Sequence, residues 1–156
     1  MYQHIMVPLD GSQLAECVLP HVEAIAQGCR AGKVTLVRVV TPLHLYGGVE
    51  SRLSPEERHR LESHSLDMAR DYLERLAGGL KGRGVTAEAA VLFGADVAEE
   101  LVNYAERTQV DLVIIATHGR SGVTRWVWGS MADRILRAMS TPVLMVRAPG
   151  HPAPGS

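Results

Sequence analysis

Asp111-Leu112-Val113-Ile114-Ile115-Ala116-Thr117 (DLVIIAT) reads as a strand buried on both faces, because five apolar residues run without a break and three of them are β-branched. A strand with no polar face needs cover on two sides, which is the habit of a parallel sheet between layers of helices. Working outward, Thr117-His118-Gly119-Arg120-Ser121-Gly122 leads away from this strand. Gly129-Ser130 then opens a helix with apolar positions Ile135, Leu136 and Met139, and Thr141–Arg147 (TPVLMVR) closes as another strand.

The same alternation continues towards the amino terminus. Val85–Phe93 is a strand ended by Gly94, and Asp96 with Glu99 forms a capping-box signature ahead of Val97, Leu101 and Tyr104. Ser54-Pro55-Glu56-Glu57 supplies an N-cap, an N1 proline and an N3 glutamate for a long helix. Its inner stripe is Leu61, Ala69, Tyr72, Leu73, Leu76 and Leu80. Lys33–Val40 (KVTLVRVV) is an almost continuous β-branched strand. Ile5–Leu9 is the first strand, with Pro8 near its carboxyl end, where a missing ladder donor is tolerated. Ser12 is placed to cap a helix through Leu14, Val18, Val22 and Ile25 to Gly28, and Pro20 inside that helix should kink it.

Strands alternating with helices imply right-handed β-α-β units. The expected class is therefore α/β, a doubly wound five-stranded parallel sheet in the order 3-2-1-4-5 with helices on both faces. At 156 residues and 46% apolar, the chain suits one domain with one core, expected over residues 1–147. Residues 148–156 (APGHPAPGS) carry three prolines and two glycines and read as a disordered tail.

Sixteen basic against seventeen acidic residues leave a net charge of −1, so nothing in the balance asks for a nucleic-acid partner. The amino terminus shows neither a basic leader nor a long apolar region, and the run Leu112–Ala116 is far short of the roughly 20 residues that span a bilayer. No membrane association is expected, and a cytoplasmic location is. Cys17 and Cys29, twelve positions apart in a helical stretch, are too distant for a disulfide within one helix. The seven histidines show no metal-ligand spacing with each other or with the cysteines. A G-x-S-x-G elbow, a Walker A loop and a G-x-G-x-x-G loop are all absent.

In open α/β sheets ligands bind beyond the carboxyl ends of the strands. That directs attention to Asp10-Gly11-Ser12 and to Ala116–Ser130. Glycines allow close approach of backbone N–H groups, and a helix N-terminus attracts anions, so the second segment suits phosphate; the alternative is a loop that only turns the chain. A carboxylate at Asp10 can accept ribose hydroxyls or help to hold a metal ion; its alternative is an Asx turn or a helix cap. His118 could touch phosphate, act as a general base, or merely pack or hydrogen-bond, and Arg120 and Arg125 could neutralise phosphate or stay solvated. Trp126 and Trp128 read as packing residues over the loop or at an interface.

The segment Ala116–Ser130 (ATHGRSGVTRWVWGS), with IMVPLDGS from Ile5 and STPVLMVR from Ser140, resembles the universal stress protein family over essentially residues 1–147. ATP-binding members of that family carry G-x2-G-x9-G-[ST], and here the register is Ala116-x2-Gly119-x9-Gly129-Ser130, with one extra methyl at the first position. The resemblance implies Pro8 and Asp10 near the ribose and adenosine, Val39 beside adenine, and Gly119, Gly129 and Ser130 around the phosphates. Leu9, Ala116, His118, Arg120 and Met131 belong to the same expected nucleotide-binding set. It implies ATP as ligand, with Mg2+ or Mn2+ bound through the phosphates, a regulatory role in stress and at most slow hydrolysis.

A homodimer through the fifth strand is also expected. Val143–Val146 carries no charge to repel an approaching edge, and the resemblance implies the same pairing. The competing functional reading is a dimeric protein of this fold without nucleotide, to which Ala116 lends support. A nucleotidyl transferase or ATP pyrophosphatase would need an H-x-G-H or S-G-G-x-D-S loop that the first strand does not supply.

Overall fold

The computed structural model describes residues 1–43, 52–117 and 130–149, with the backbone alone at Ser130. Five parallel strands, β1 (His4–Pro8), β2 (Lys33–Val40), β3 (Ala87–Phe93), β4 (Leu112–Thr117) and β5 (Val143–Arg147), form one sheet in the order β3-β2-β1-β4-β5. They alternate with α1 (Leu19–Cys29), α2 (Pro55–Gly82), α3 (Val97–Arg107) and α4 (Ser130–Ala138). The expected class and strand order hold.

Period-two alternation divides the strand side chains between two cores. Ile5, Val7, Leu36 and Ile114 pack with Val22 of α1 and Leu73 and Leu80 of α2. Met6, Val37, Val113 and Ile115 point the other way, against Leu101 and Ala105 of α3 and Ile135 of α4. Each fully buried Ile, Leu or Val contributes about 1.5–3 kcal/mol of transfer free energy, which makes this two-sided burial the main stabilising term.

The element ends differ from the sequence expectations for local reasons. Val85 does not start β3, because its N–H is used on Leu80 O at the end of α2. Asp111 precedes β4, and its carboxylate accepts the backbone N–H groups of Gln3 and His4. Pro20 kinks nothing. Ser12 Oγ accepts the Ala15 N–H ahead of a 3-10 turn, Ala15–Val18, and α1 starts at Leu19 with Pro20 in its first turn, where its missing donor costs no hydrogen bond. α1 also runs past Gly28 to Cys29, and Arg30 closes it in the left-handed region at φ 52.

The capping box at α2 is complete: Ser54 Oγ accepts Glu57 N–H and Glu57 Oε2 accepts Ser54 N–H. The inner stripe of α2 holds at Ala69, Leu73 and Leu80, but Leu61 is exposed. A 28-residue helix is about 42 Å long. The eight-residue β2 spans about 26 Å, so the first turns of α2 overhang the sheet. Leu136 of α4 is likewise exposed, since Ala132 and Ile135 fill the inward face. Ala148, assigned from sequence to the tail, is buried and donates its N–H to Thr117 O.

Two polar residues are buried at the amino ends of the strands, His4 and Thr35. His4 Nε2 is hydrogen-bonded to Thr35 Oγ1 at 2.8 Å, and Nδ1 to Thr108 O at 3.0 Å. The Thr35 hydroxyl donates to Glu88 Oε1, which also takes Lys33 Nζ, both at 2.8 Å.

Candidate functional site

β1 is the central strand, and it carries a proline at the end where a ligand would bind. Leu9 N–H donates to Val37 O on β2, and His4 O accepts from Asp111 beside β4, so alternation turns the Pro8 nitrogen towards β4. Proline has no donor to offer there. The β1–β4 register accordingly runs only through Ile5–Leu112 and Met6–Val113, whereas the β1–β2 register continues to Pro8–Val37. The carboxyl ends of β1 and β4 thus lack a ladder bond, at the topological switch point of the sheet.

The turn after β1 stands at this end of the sheet. Asp10 Oδ1 accepts both the N–H and the hydroxyl of Ser12, at 2.8 and 2.6 Å, which is the Asx turn weighed from the sequence. Gly11 sits at φ +89, a left-handed conformation that favours glycine. Leu9 is buried against the α1–α2 core, while Asp10 is exposed. Val39, near the end of β2, packs on the opposite face beside α3 and α4.

On β4, Ala116 packs against the α1–α2 core, so the methyl that departs from the glycine motif meets apolar neighbours. Ser130 is the first residue of α4 and Met131, the next, is partly exposed. His118, Gly119, Arg120, Arg125, Trp126, Trp128 and Gly129 lie outside the described residues. Among the described site residues, Pro8, Leu9 and Asp10 end one central strand and Ala116 ends its neighbour, with Val39 one strand further on.

Sequence reasoning missed the group behind the turn. Arg38 of β2 faces the α1–α2 layer, with its guanidinium carbon 5.9 Å from the centre of the Tyr72 ring. The Tyr72 hydroxyl donates to Glu16 Oε1 at 2.9 Å. Burial pushes the Tyr72 phenol far above its ordinary range, and the adjoining Glu16 carboxylate pushes the same way, so the hydroxyl remains a donor. The available signal was Arg38 itself, a lone charge between valines in KVTLVRVV.

Among the described residues no group of three or more His, Cys, Asp or Glu is arranged to hold a metal ion. No described helix is long and apolar enough to cross a membrane.

Residues 1–147 match the sequence model of the universal stress protein family. The chain belongs to that family. Universal stress protein MJ0577 of Methanocaldococcus jannaschii is 27% identical over 157 residues, covering 94% of this chain and 96% of its own. Its solved structure superposes with a TM-score of 0.78 over 97% of this chain and 99% of that one. The fold is also similar to a universal stress protein in complex with cAMP, 21% identical, TM-score 0.65, covering 95% and 98% of the two chains. It is similar again to a family protein of Arabidopsis thaliana with AMP bound, 17% identical, TM-score 0.62, covering 94% and 92%.

Proposed function

We propose that this universal stress protein binds ATP in the crevice between the carboxyl ends of β1 and β4, and acts as a nucleotide-dependent regulatory protein rather than as a dedicated enzyme. The observation that carries the reading is the ladder bond missing at the carboxyl ends of β1 and β4, where Asp10 and Gly11 follow one strand, taken together with the sequence register Ala116-x2-Gly119-x9-Gly129-Ser130 that follows the other. Backbone N–H groups at Gly119 and Gly129 and the N-terminus of α4 at Ser130 would receive the phosphates. Pro8, Leu9, Asp10 and Val39 would border the nucleoside, with His118, Arg120 and Met131 flanking the phosphate loop. That relatives of this fold hold AMP and cAMP supports an adenine nucleotide as the ligand.

Mg2+ or Mn2+ would arrive with the nucleotide. Mg2+ is commonly held by one or two carboxylates together with phosphates, and Asp10 is one carboxylate at the crevice mouth. A second copy of the chain would pair through β5, which lies at the sheet edge. A cytoplasmic location fits a chain of this family with few thiols.

Calorimetry with ATP, with and without Mg2+ or Mn2+, tests the reading, alongside mass spectrometry for nucleotide carried through purification. Binding strengthened by the metal is expected. No heat and no thermal shift at millimolar ATP would instead leave a dimeric protein of the same fold without nucleotide.

A further inference from the structure

We infer that Arg38, braced by Tyr72 and Glu16, is a positioning residue that holds the Asp10-Gly11-Ser12 turn in the shape the nucleotide site needs. The functional half of this inference rests on the nucleotide reading above; the structural half does not.

Within the turn, Asp10 Oδ1 accepts the N–H and hydroxyl of Ser12 and Ser12 Oγ accepts the Ala15 N–H, but Gly11 between them, at φ +89, has no side chain to restrict it. From β2, however, the Arg38 guanidinium closes over the turn. A methyl group built on Gly11 would lie 2.9 Å from Arg38 Nη1, 3.1 Å from Cζ and 3.3 Å from Nη2, so the whole planar head lies beside that glycine.

The head is itself fixed. Tyr72 of α2 offers its ring at 5.9 Å, a cation–π distance, and Arg75 approaches the same ring at 5.8 Å. The Tyr72 hydroxyl is tied to Glu16, which stands in the 3-10 turn that follows Ser12. The chain from residue 10 to residue 16 is thereby clasped at both ends, by Arg38 at Gly11 and by Tyr72 at Glu16. The negative charges of Asp10 and Glu16 both face this cluster, and Arg38 offsets them at Tyr72. A planar guanidinium fits this role better than an ammonium, because it can stack on the ring and lie along the turn together.

If the turn is released, the competent shape is populated only part of the time, and apparent affinity falls by that fraction. A turn competent for one tenth of the time binds about tenfold more weakly. Since Arg38 acts through the turn at the nucleoside end, the loss should not depend on how many phosphates the ligand carries.

The test uses the full chain with Arg38→Met, Arg38→Lys and Tyr72→Phe. In the nucleotide-free protein, backbone order parameters at Gly11 and Ser12 should fall from about 0.85 in the parent to below about 0.6 in Arg38→Met. Tyr72→Phe should shift them the same way, and it decides the matter if Arg38→Met does not fold. Arg38→Lys should not restore the parent values. AMP and ATP affinities should fall by the same factor in Arg38→Met. Unchanged order at Gly11 and Ser12 overturns the inference, and so does a loss that grows from AMP to ATP, which would make Arg38 a direct phosphate ligand. If the parent binds neither nucleotide, the proposed function fails, and the order parameters still decide whether Arg38 holds the turn.

Discussion

His4 Nε2 lies 2.8 Å from Thr35 Oγ1, and both side chains are buried where β1 and β2 begin. The threonine hydroxyl also donates to Glu88, so one small group joins three adjacent strands. Thr35→Val keeps the shape and removes the bridge, leaving a buried ring nitrogen of His4 without its partner. Such a loss costs about 1–3 kcal/mol. The urea midpoint should drop with an unchanged m-value, and an unaltered midpoint would mean that the bridge carries no net stability.

The same network responds to acid. The hydrogen bond from Lys33 holds the Glu88 carboxyl below its ordinary value of 4.5, and the Thr35 hydroxyl adds to this. A carboxyl depressed in the folded state contributes stability that is present above 4.5 and is lost as pH falls through the lower folded value. Glu88 is about half exposed, so solvent screens the effect and it should be modest. Urea midpoints of the parent and Glu88→Gln should converge as pH is lowered from 5 to 3. Parallel curves would contradict the assignment.

Gly129→Val should abolish nucleotide binding while leaving the fold intact, because a branched side chain would occupy the space a phosphate needs at the start of α4. Ser130→Ala should weaken binding less. Calorimetry distinguishes them, and a Gly129→Val protein with parental affinity would put the phosphates elsewhere.

Much of the fold was legible because its pattern is local. DLVIIAT announced a doubly covered strand, and Ser54-Pro55-Glu56-Glu57 announced a helix start that the structure reproduces bond for bond. Pro20 misled because a proline in a helical pattern suits a kink as well as a first turn, and only the preceding 3-10 turn decides between them. Pro8 was read as tolerated near a strand end and, through the resemblance, as a nucleoside neighbour; its neighbours show that it also removes the ladder bond towards β4. The Glu16–Arg38–Tyr72 group was missed because its members come from three separate elements and form no motif, and the lone charge of Arg38 between valines was its one mark in the sequence.

Among the described residues β5 pairs with β4 alone, and Leu144 on it is 37% exposed. The run Val143–Val146 carries no charge, and an edge of this kind invites a second copy. Leu144→Lys should shift the species seen by light scattering from dimer to monomer at micromolar concentration. A parent protein that is already monomeric there would remove the proposed interface.

The central position of β1 also governs how the chain emerges during synthesis. His4 N–H is satisfied by Asp111, 107 residues later. At about 5–20 residues per second, the first strand is made about 5–20 s before its partner on that side exists. Through that interval the apolar segment from Ile5 to Leu9 can be covered by β2 on one edge but not by β4 on the other. β1 therefore leaves the ribosome well before β4 completes its second edge, and through that interval the open edge can pair elsewhere.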